Sequence, residues 1–301
     1  RGLSVTSLAQ RDATPLRGIV LGTLSYSLFA FHDAVVKSVI SELPVVQILF
    51  VRSLVIVAGC LLIGRTSVVA DFRRATGKRL MLLRAVLTLA AWCMYYSMGR
   101  YLQLAEMTTL YYVAPVITIV LAVILLGERL TLARVFAAGL GFVGIIVACN
   151  PAGLSIAWPE ALCLGAAFLW AVAMIAMRRI PKTDSALAQI LAINVVYVLA
   201  MGVASAFVWQ QMDPRTIALV VLTGLLGGAA QYILVDAARL VPASVLGTVE
   251  YSALAWSFLF GFLGWGETPA LYVYVGAALV VVAGAFVAYT ESRRGAIIET
   301  P

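Results

Sequence analysis

Ten long apolar runs, separated by short polar connections, dominate this sequence. Each run approaches the roughly 20 residues that a helix needs to cross the hydrocarbon core of a bilayer. The runs are continuous and rich in Leu, Ala and Val, unlike the alternating strands of an outer-membrane barrel. The sequence therefore predicts an all-α membrane protein with ten transmembrane helices, over residues 16–38, 44–63, 80–99, 104–126, 132–150, 157–178, 186–209, 215–237, 243–264 and 270–290.

The composition indicates the same fold class. Of the 301 residues, 63% are hydrophobic and 12% are charged, and the mean hydropathy is +1.02. These values exclude an ordinary soluble domain. The net charge of +7 is spread over short loops instead of one face, so we predict no binding to nucleic acid.

The chain also contains an internal repeat. Gly-Glu pairs begin at Gly127 and at Gly266, each after a long apolar run, which gives an offset of 266 − 127 = 139 residues. At this offset Arg100 aligns with Arg239, and the flanking apolar runs fall into register. Duplicated halves built from membrane spans are typical of transporters. We therefore predict a single membrane domain with two repeats, residues 16–150 and 157–290.

The distribution of basic residues predicts the orientation in the membrane. If the N-terminus is cytoplasmic, sixteen Lys and Arg residues lie on the cytoplasmic side, and only Arg100 and Arg215 lie outside. Because Lys and Arg in short loops resist translocation, both termini are predicted to be cytoplasmic. Five spans per half is an odd number, so the second half enters from the opposite side. The two five-helix repeats are therefore predicted to be inverted, which suits alternating access.

Three segments carry a resemblance to a known family. They are residues 111–116 inside the fourth span, residues 127–131 that end it, and the Gly-rich fifth span. With ten spans in two halves, the chain resembles the drug/metabolite transporter superfamily, and within it the ten-helix carriers with two EamA-type repeats. Residues 31–37, followed by Arg52, are similar to the YddG-like amino-acid exporters. The resemblance implies a secondary transporter in a bacterial inner membrane. In the second half, Leu254 replaces Pro115.

Ionisable side chains inside the predicted spans are rare, and each costs several kcal/mol unless it is paired or hydrated. Asp33 and Lys37 are four residues apart, so they share a face of the first helix with His32 beside them. Arg52 lies in the outer half of the second helix. This group predicts either a polar cluster that lines or locks the pathway, or a structural ion pair between helices one and two.

Arg84 and Glu250 form a second candidate group. Both lie a few residues into their spans from the cytoplasmic side, which allows contact between them. One hypothesis is that they hold a zwitterion or form an inner gate. The other is a fixed salt bridge between packed helices.

Aromatic and polar side chains predict the walls of a solute cavity, although each also suits ordinary helix packing. The aromatic candidates lie well inside their spans and are Trp92, Tyr95, Tyr111, Tyr112, Trp170 and Tyr251. Thr108 extends a polar stripe along the fourth helix, and Gln231 follows the glycines of the eighth. Pro115 and Gly247 are predicted hinges, because Pro and Gly let a helix bend.

No motif for catalysis or nucleotide binding is found. One histidine excludes a His-based zinc site, and no phosphate-binding loop or nucleophile elbow is present, so we predict no enzyme, metal or cofactor. We predict a monomeric secondary transporter in lipid that exports small metabolites, above all aromatic or other neutral amino acids. The alternatives are uptake of another metabolite such as S-adenosylmethionine, multidrug export and, least favoured, a passive channel.

Overall fold

The computed structural model describes residues 5–126, 132–148, 157–181, 183–241, 246, 249–250 and 252–298. Its helices are α1 Val5–Val39, α2 Val45–Arg74, α3 Lys78–Ser97, α4 Leu104–Tyr111, α5 Ala114–Leu126, α6 Leu132–Ala148, α7 Trp158–Arg179, α8 Ala186–Ala206, α9 Pro214–Leu240, α10 Ser252–Trp265 and α11 Leu271–Ile298. No strand occurs within these ranges, which confirms the all-α prediction.

Six helices are long and apolar enough to cross a membrane, judged by length and composition over the described residues. They lie within α1, α2, α3, α7, α8 and α9. The remaining apolar helices are shorter or interrupted. Ten crossings therefore stay a prediction.

The fourth predicted span, residues 104–126, consists of two helices instead of one. α4 ends at Tyr111 and α5 begins at Ala114, so the helix is interrupted immediately before Pro115. Proline lacks an N–H group and clashes with the preceding helical turn, and it is therefore favoured in the first turn of a new helix. The chain between Tyr111 and Ala114 consequently lies at the junction of two helical segments.

α2 also differs from its prediction, because it continues beyond residues 44–63 as far as Arg74. The backbone leaves the helical conformation at Arg65, where φ is 46° and ψ is −136°. A positive φ is unfavourable for residues other than glycine. The connection expected between the predicted spans 44–63 and 80–99 is thus helical as far as Arg74, after a break at Arg65.

One end of the helix bundle carries most of the basic residues, and we call it the basic face. There the Asp184 carboxylate, after α7, accepts hydrogen bonds from the backbone N–H groups of Thr76 (3.2 Å) and Gly77 (3.0 Å). Arg239, at the end of α9, donates to the Asp184 carbonyl oxygen over 2.7 Å. The basic side chains near this end are Arg73, Arg74, Lys78, Arg79, Arg178, Arg179 and Arg239.

The other end is called the opposite face. Arg100, just after α3, donates to the carbonyl oxygen of Ile40, just after α1, over 2.7 Å. The ring of Tyr101 lies 4.7 Å from that of Trp158, the first residue of α7. α1 and α3 therefore end at the face where α7 begins, and α7 runs antiparallel to α1.

Helices of the first half pack mainly against helices of the second half. α1 packs along α9 and α3 along α7, while α2 packs along α8 and α6 along α11. The 139-residue offset carries α1 onto α7 and α3 onto α9, so the first two pairs are equivalent. Close packing of α2 and α9 depends on glycine, because a Cβ atom at Gly224 would lie 2.5 Å from the Val55 Cβ.

Candidate functional site

A cavity lies among α1, α3, α4, α7 and the start of α10. Its lining residues are Tyr26, Phe29, Ala30, Asp33, Ala91, Trp92, Tyr95, Thr108, Tyr111, Tyr112, Trp170, Glu250, Ala253 and Ser257. Half of these are Tyr, Phe or Trp. Among the residues that the structure describes, the cavity lining contains two carboxylates and no Lys or Arg. The cavity is therefore aromatic and acidic.

The aromatic wall is continuous. The Trp92 ring lies 6.1 Å from that of Phe29 and 5.9 Å from that of Trp170, perpendicular to the latter. Tyr111 connects Trp170 (6.1 Å) with Tyr95 (5.1 Å). These centroid separations and tilted arrangements are those that aromatic rings prefer. The wall therefore offers flat apolar surfaces to a solute.

Glu250 is one of the two acidic groups of the cavity. Its side chain is buried, and its Oε2 accepts a hydrogen bond from the Tyr26 hydroxyl over 3.3 Å. No basic side chain of the described residues forms an ion pair with it. Among the described residues, the Tyr26 hydroxyl is therefore the polar contact that the structure shows for this carboxylate.

The contact between Arg84 and Glu250 that the sequence allowed is not formed. Arg84 precedes Trp92 by eight residues, about 12 Å along α3, and so lies nearer the basic face than the cavity. At its level α3 meets α8, where the Tyr197 hydroxyl donates to Thr88 over 2.6 Å. Arg84 is buried there, and its Nε and Nη1 reach no acceptor in the described part of the chain.

Asp33 is the other carboxylate of the cavity, and its partners differ from the predicted one. Its Oδ1 lies 3.0 Å from the His32 Nδ1 and accepts a hydrogen bond from the Tyr96 hydroxyl over 2.9 Å. Lys37 does not pair with it, although the two residues share a helix face. Instead, Lys37 forms an ion pair with Glu267, 230 residues away in sequence.

Glu267 connects three elements at the opposite face. Besides the ion pair with Lys37 on α1, its Oε2 accepts a hydrogen bond from the backbone N–H of Leu104, the first residue of α4, over 2.9 Å. Gly266 takes a left-handed φ of +64°, which glycine tolerates best, and so ends α10 with Glu267 turned back towards the bundle. We call Lys37, Glu267 and Leu104 the Glu267 junction.

Arg52 and His32 lie behind Trp92 and outside the cavity lining. The Arg52 guanidinium carbon is 4.9 Å from the centre of the Trp92 ring, and the His32 ring meets the same indole edge-on at 5.8 Å. Gln231 is also outside the lining, where its Oε1 accepts a hydrogen bond from Asn194 over 3.0 Å.

The structure thus divides the predicted site residues into groups. It brings together Asp33, Trp92, Tyr95, Thr108, Tyr111, Tyr112, Trp170 and Glu250 around one cavity. Tyr251 and the predicted hinge Gly247 lie outside the described residues. Tyr26, Phe29 and Glu267 were not predicted. Only the repeated Gly-Glu pair pointed to Glu267. Within the described ranges, no group of three or more His, Cys, Asp or Glu side chains is placed so that it could bind a metal ion.

The sequence matches a family described as the EamA-like transporter family over residues 16–149 and again over 157–290. A riboflavin transporter from Rhizobium johnstonii is 31% identical over 188 residues, which is 60% of this chain and 60% of that protein. An uncharacterized transporter from Helicobacter pylori is 26% identical over 291 residues, or 91% of this chain and 95% of its own. An S-adenosylmethionine uptake transporter from Rickettsia bellii is 24% identical over 187 residues, covering 62% of this chain and 64% of that protein.

The chain therefore matches less than two thirds of the riboflavin transporter. A protein of known crystal structure aligns over 96% of this chain and 99% of its own, with a TM-score of 0.64 and 20% identity. At that identity the likeness shows a common fold.

Proposed function

Because the chain belongs to the EamA-like transporter family, and is an integral membrane protein of that family, we propose that it is a secondary transporter of amino acids. We propose alternating access by two inverted repeats as its mechanism. The antiparallel α1 and α7, and the exchanged pairing of α1 with α9 and α3 with α7, support inverted repeats. Inverted repeats provide two conformations, each open to one side.

The composition of the cavity wall is the observation that supports amino acids as the substrate. An ammonium group is attracted by the carboxylates of Asp33 and Glu250 and by the faces of surrounding rings. The aromatic wall suits an apolar side chain of the same solute. These two properties favour aromatic or other neutral amino acids. The outward direction of transport rests on the similarity of residues 31–37 and Arg52 to amino-acid exporters.

The same aromatic wall favours a second candidate, a flat uncharged metabolite such as riboflavin, which two relatives are named for transporting. Such a solute would stack on Trp92 and Trp170 without needing either carboxylate. S-adenosylmethionine, named for two further relatives, is a third candidate because it carries both an amine and a sulfonium charge. The candidates therefore differ in their dependence on Glu250.

Purified protein in liposomes tests the proposed function. Labelled phenylalanine, tryptophan, leucine, riboflavin and S-adenosylmethionine are offered in turn, with and without the unlabelled solute on the other side. We expect saturable flux of the aromatic amino acids, accelerated by solute on the far side and independent of ATP. Flux of riboflavin alone would favour the second candidate, and flux that never saturates would contradict a carrier.

We further propose that the basic face and both termini are cytoplasmic, in a bacterial inner membrane. Thr76 on the basic face and Gln211 on the opposite face are exposed positions for single cysteines in a background without the four native cysteines. In intact cells a membrane-impermeant maleimide should label Gln211→Cys, and should label Thr76→Cys only after permeabilisation. The reverse pattern would contradict this orientation.

A further inference from the structure

Arg52 is a buried cation that forms no ion pair within the described part of the chain. The side chain is 0% exposed, and none of its three guanidinium nitrogens reaches an acceptor among the residues that the structure describes. No carboxylate of the described chain forms an ion pair with it. The face of the Trp92 ring, 4.9 Å away, offsets part of the cost of burying the charge. A guanidinium so placed is a preformed partner for a carboxylate, which it binds with two parallel hydrogen bonds.

His32 adds a second unsatisfied group at the same place. Its Nδ1 faces Asp33, while its fully buried Nε2 reaches no partner in the described part of the chain. Gly227 on α9 marks where the two side chains meet. A Cβ atom there would lie 2.8 Å from the Arg52 Nη2 and 3.2 Å from the His32 Cδ2, the ring atom next to Nε2. The absence of a side chain at Gly227 thus leaves Arg52 and His32 side by side.

The Trp92 indole connects these groups with the aromatic cavity. Trp92 is part of the cavity wall on one side and contacts the Arg52 guanidinium and the His32 ring on the other. Its side chain is half-buried, whereas Arg52 and His32 are fully buried. A change of the Trp92 rotamer would therefore expose both polar groups to a solute in the cavity.

We propose that Arg52 and the His32 Nε2 form an anion subsite that receives the carboxylate of the transported solute when the Trp92 indole turns aside. The inference rests on the proposed function and narrows it. A solute with its ammonium group near Asp33 or Glu250 and its carboxylate at Arg52 is a zwitterion. An uncharged flat solute leaves this subsite unused.

Binding of two matched probes to the purified protein tests the subsite without requiring transport. Indole-3-propionate carries a carboxylate at neutral pH, and indole-3-propionamide has the same ring and chain without the charge. Isothermal titration calorimetry should show that indole-3-propionate binds at least tenfold more tightly than indole-3-propionamide. Arg52→Met should abolish this preference. Arg52→Lys, which keeps the charge but not the two parallel donors, should retain only part of it.

Two variants serve as controls. Arg84→Met also removes a buried guanidinium, two nitrogens of which have no partner among the described residues, and it should leave the ratio of the two affinities unchanged. Trp92→Ala removes the barrier, so the ratio should persist or rise even if both probes bind less tightly. Thermal unfolding of each variant establishes that it is folded. If Arg52→Met does not fold, Arg52→Lys provides the test: a lowered ratio of the affinities for the carboxylate and amide probes supports the subsite, and an unchanged ratio contradicts it.

Equal affinity of the wild-type protein for both probes would overturn the subsite, whatever solute is transported. An unchanged ratio in Arg52→Met with lowered stability would also overturn it, in favour of a structural contact with Trp92. Chloride competing fully with the carboxylate probe would indicate a site for small inorganic anions instead. The protein could fail to transport amino acids in liposomes and still bind indole-3-propionate more tightly than indole-3-propionamide. That result would refute the proposed substrates but would support the anion subsite.

Discussion

Replacing Glu250 with glutamine is expected to lower the rate of aromatic amino-acid transport at least tenfold while the protein stays folded. Glutamine keeps the size of the side chain and an acceptor for the Tyr26 hydroxyl, but it removes the charge that attracts an ammonium group. Because Glu250 has no basic partner in the described chain, its neutralisation strands no buried cation. Initial flux in liposomes and the thermal unfolding midpoint in detergent are the two measurements.

Glu42→Gln is a suitable control for this change. Glu42 is exposed at the opposite face and accepts a hydrogen bond from Thr216 over 3.2 Å, which glutamine can also accept. Its replacement should leave flux unchanged. A combined loss of flux and stability in Glu250→Gln, restored by Arg84→Gln, would instead indicate a salt bridge in another conformation. Unchanged flux in Glu250→Gln would show that transport does not depend on the Glu250 charge. This is the result expected if the transported solute is uncharged.

Breaking the Glu267 junction is expected to open the opposite face of the transporter. Lys37 and Glu267 are 9% and 12% exposed, and removal of one partner from a buried ion pair costs on the order of 3–5 kcal/mol. The junction connects α1, the start of α4 and the turn after α10 in the conformation that the structure shows. Losing it should therefore shift the equilibrium towards a conformation that is open at this face.

A cysteine at Ser257, a buried residue of the cavity wall, reports this shift. In a background without native cysteines, Glu267→Gln and Lys37→Met should each raise the rate of maleimide labelling of Ser257→Cys from the opposite face about tenfold. Glutamine at 267 still accepts from the Leu104 N–H, so the effect isolates the charge.

The double variant Lys37→Met with Glu267→Gln separates opening from simple destabilisation. Neither charge is then stranded, so the unfolding midpoint should recover while labelling stays fast. Labelling that remains at the rate of the parent protein in all three variants would show that the junction does not close this face.

The sequence by itself determined the all-α membrane fold and the two repeats, because span length and duplication are properties of contiguous residues. It also identified most of the cavity wall, since buried polar and aromatic side chains are rare enough in apolar spans to stand out. Trp92, Tyr95 and Tyr111 were found in this way.

Only the tertiary structure decided which of these groups meet. Lys37 pairs with Glu267 instead of Asp33, and Arg84 lies away from Glu250, because helix rotation and depth depend on packing between distant segments. The junction before Pro115 replaced one long helix by two. Arg52 of α2 likewise lies against both Trp92 of α3 and Gly227 of α9, and a meeting of three helices is not encoded by the local pattern of any one of them.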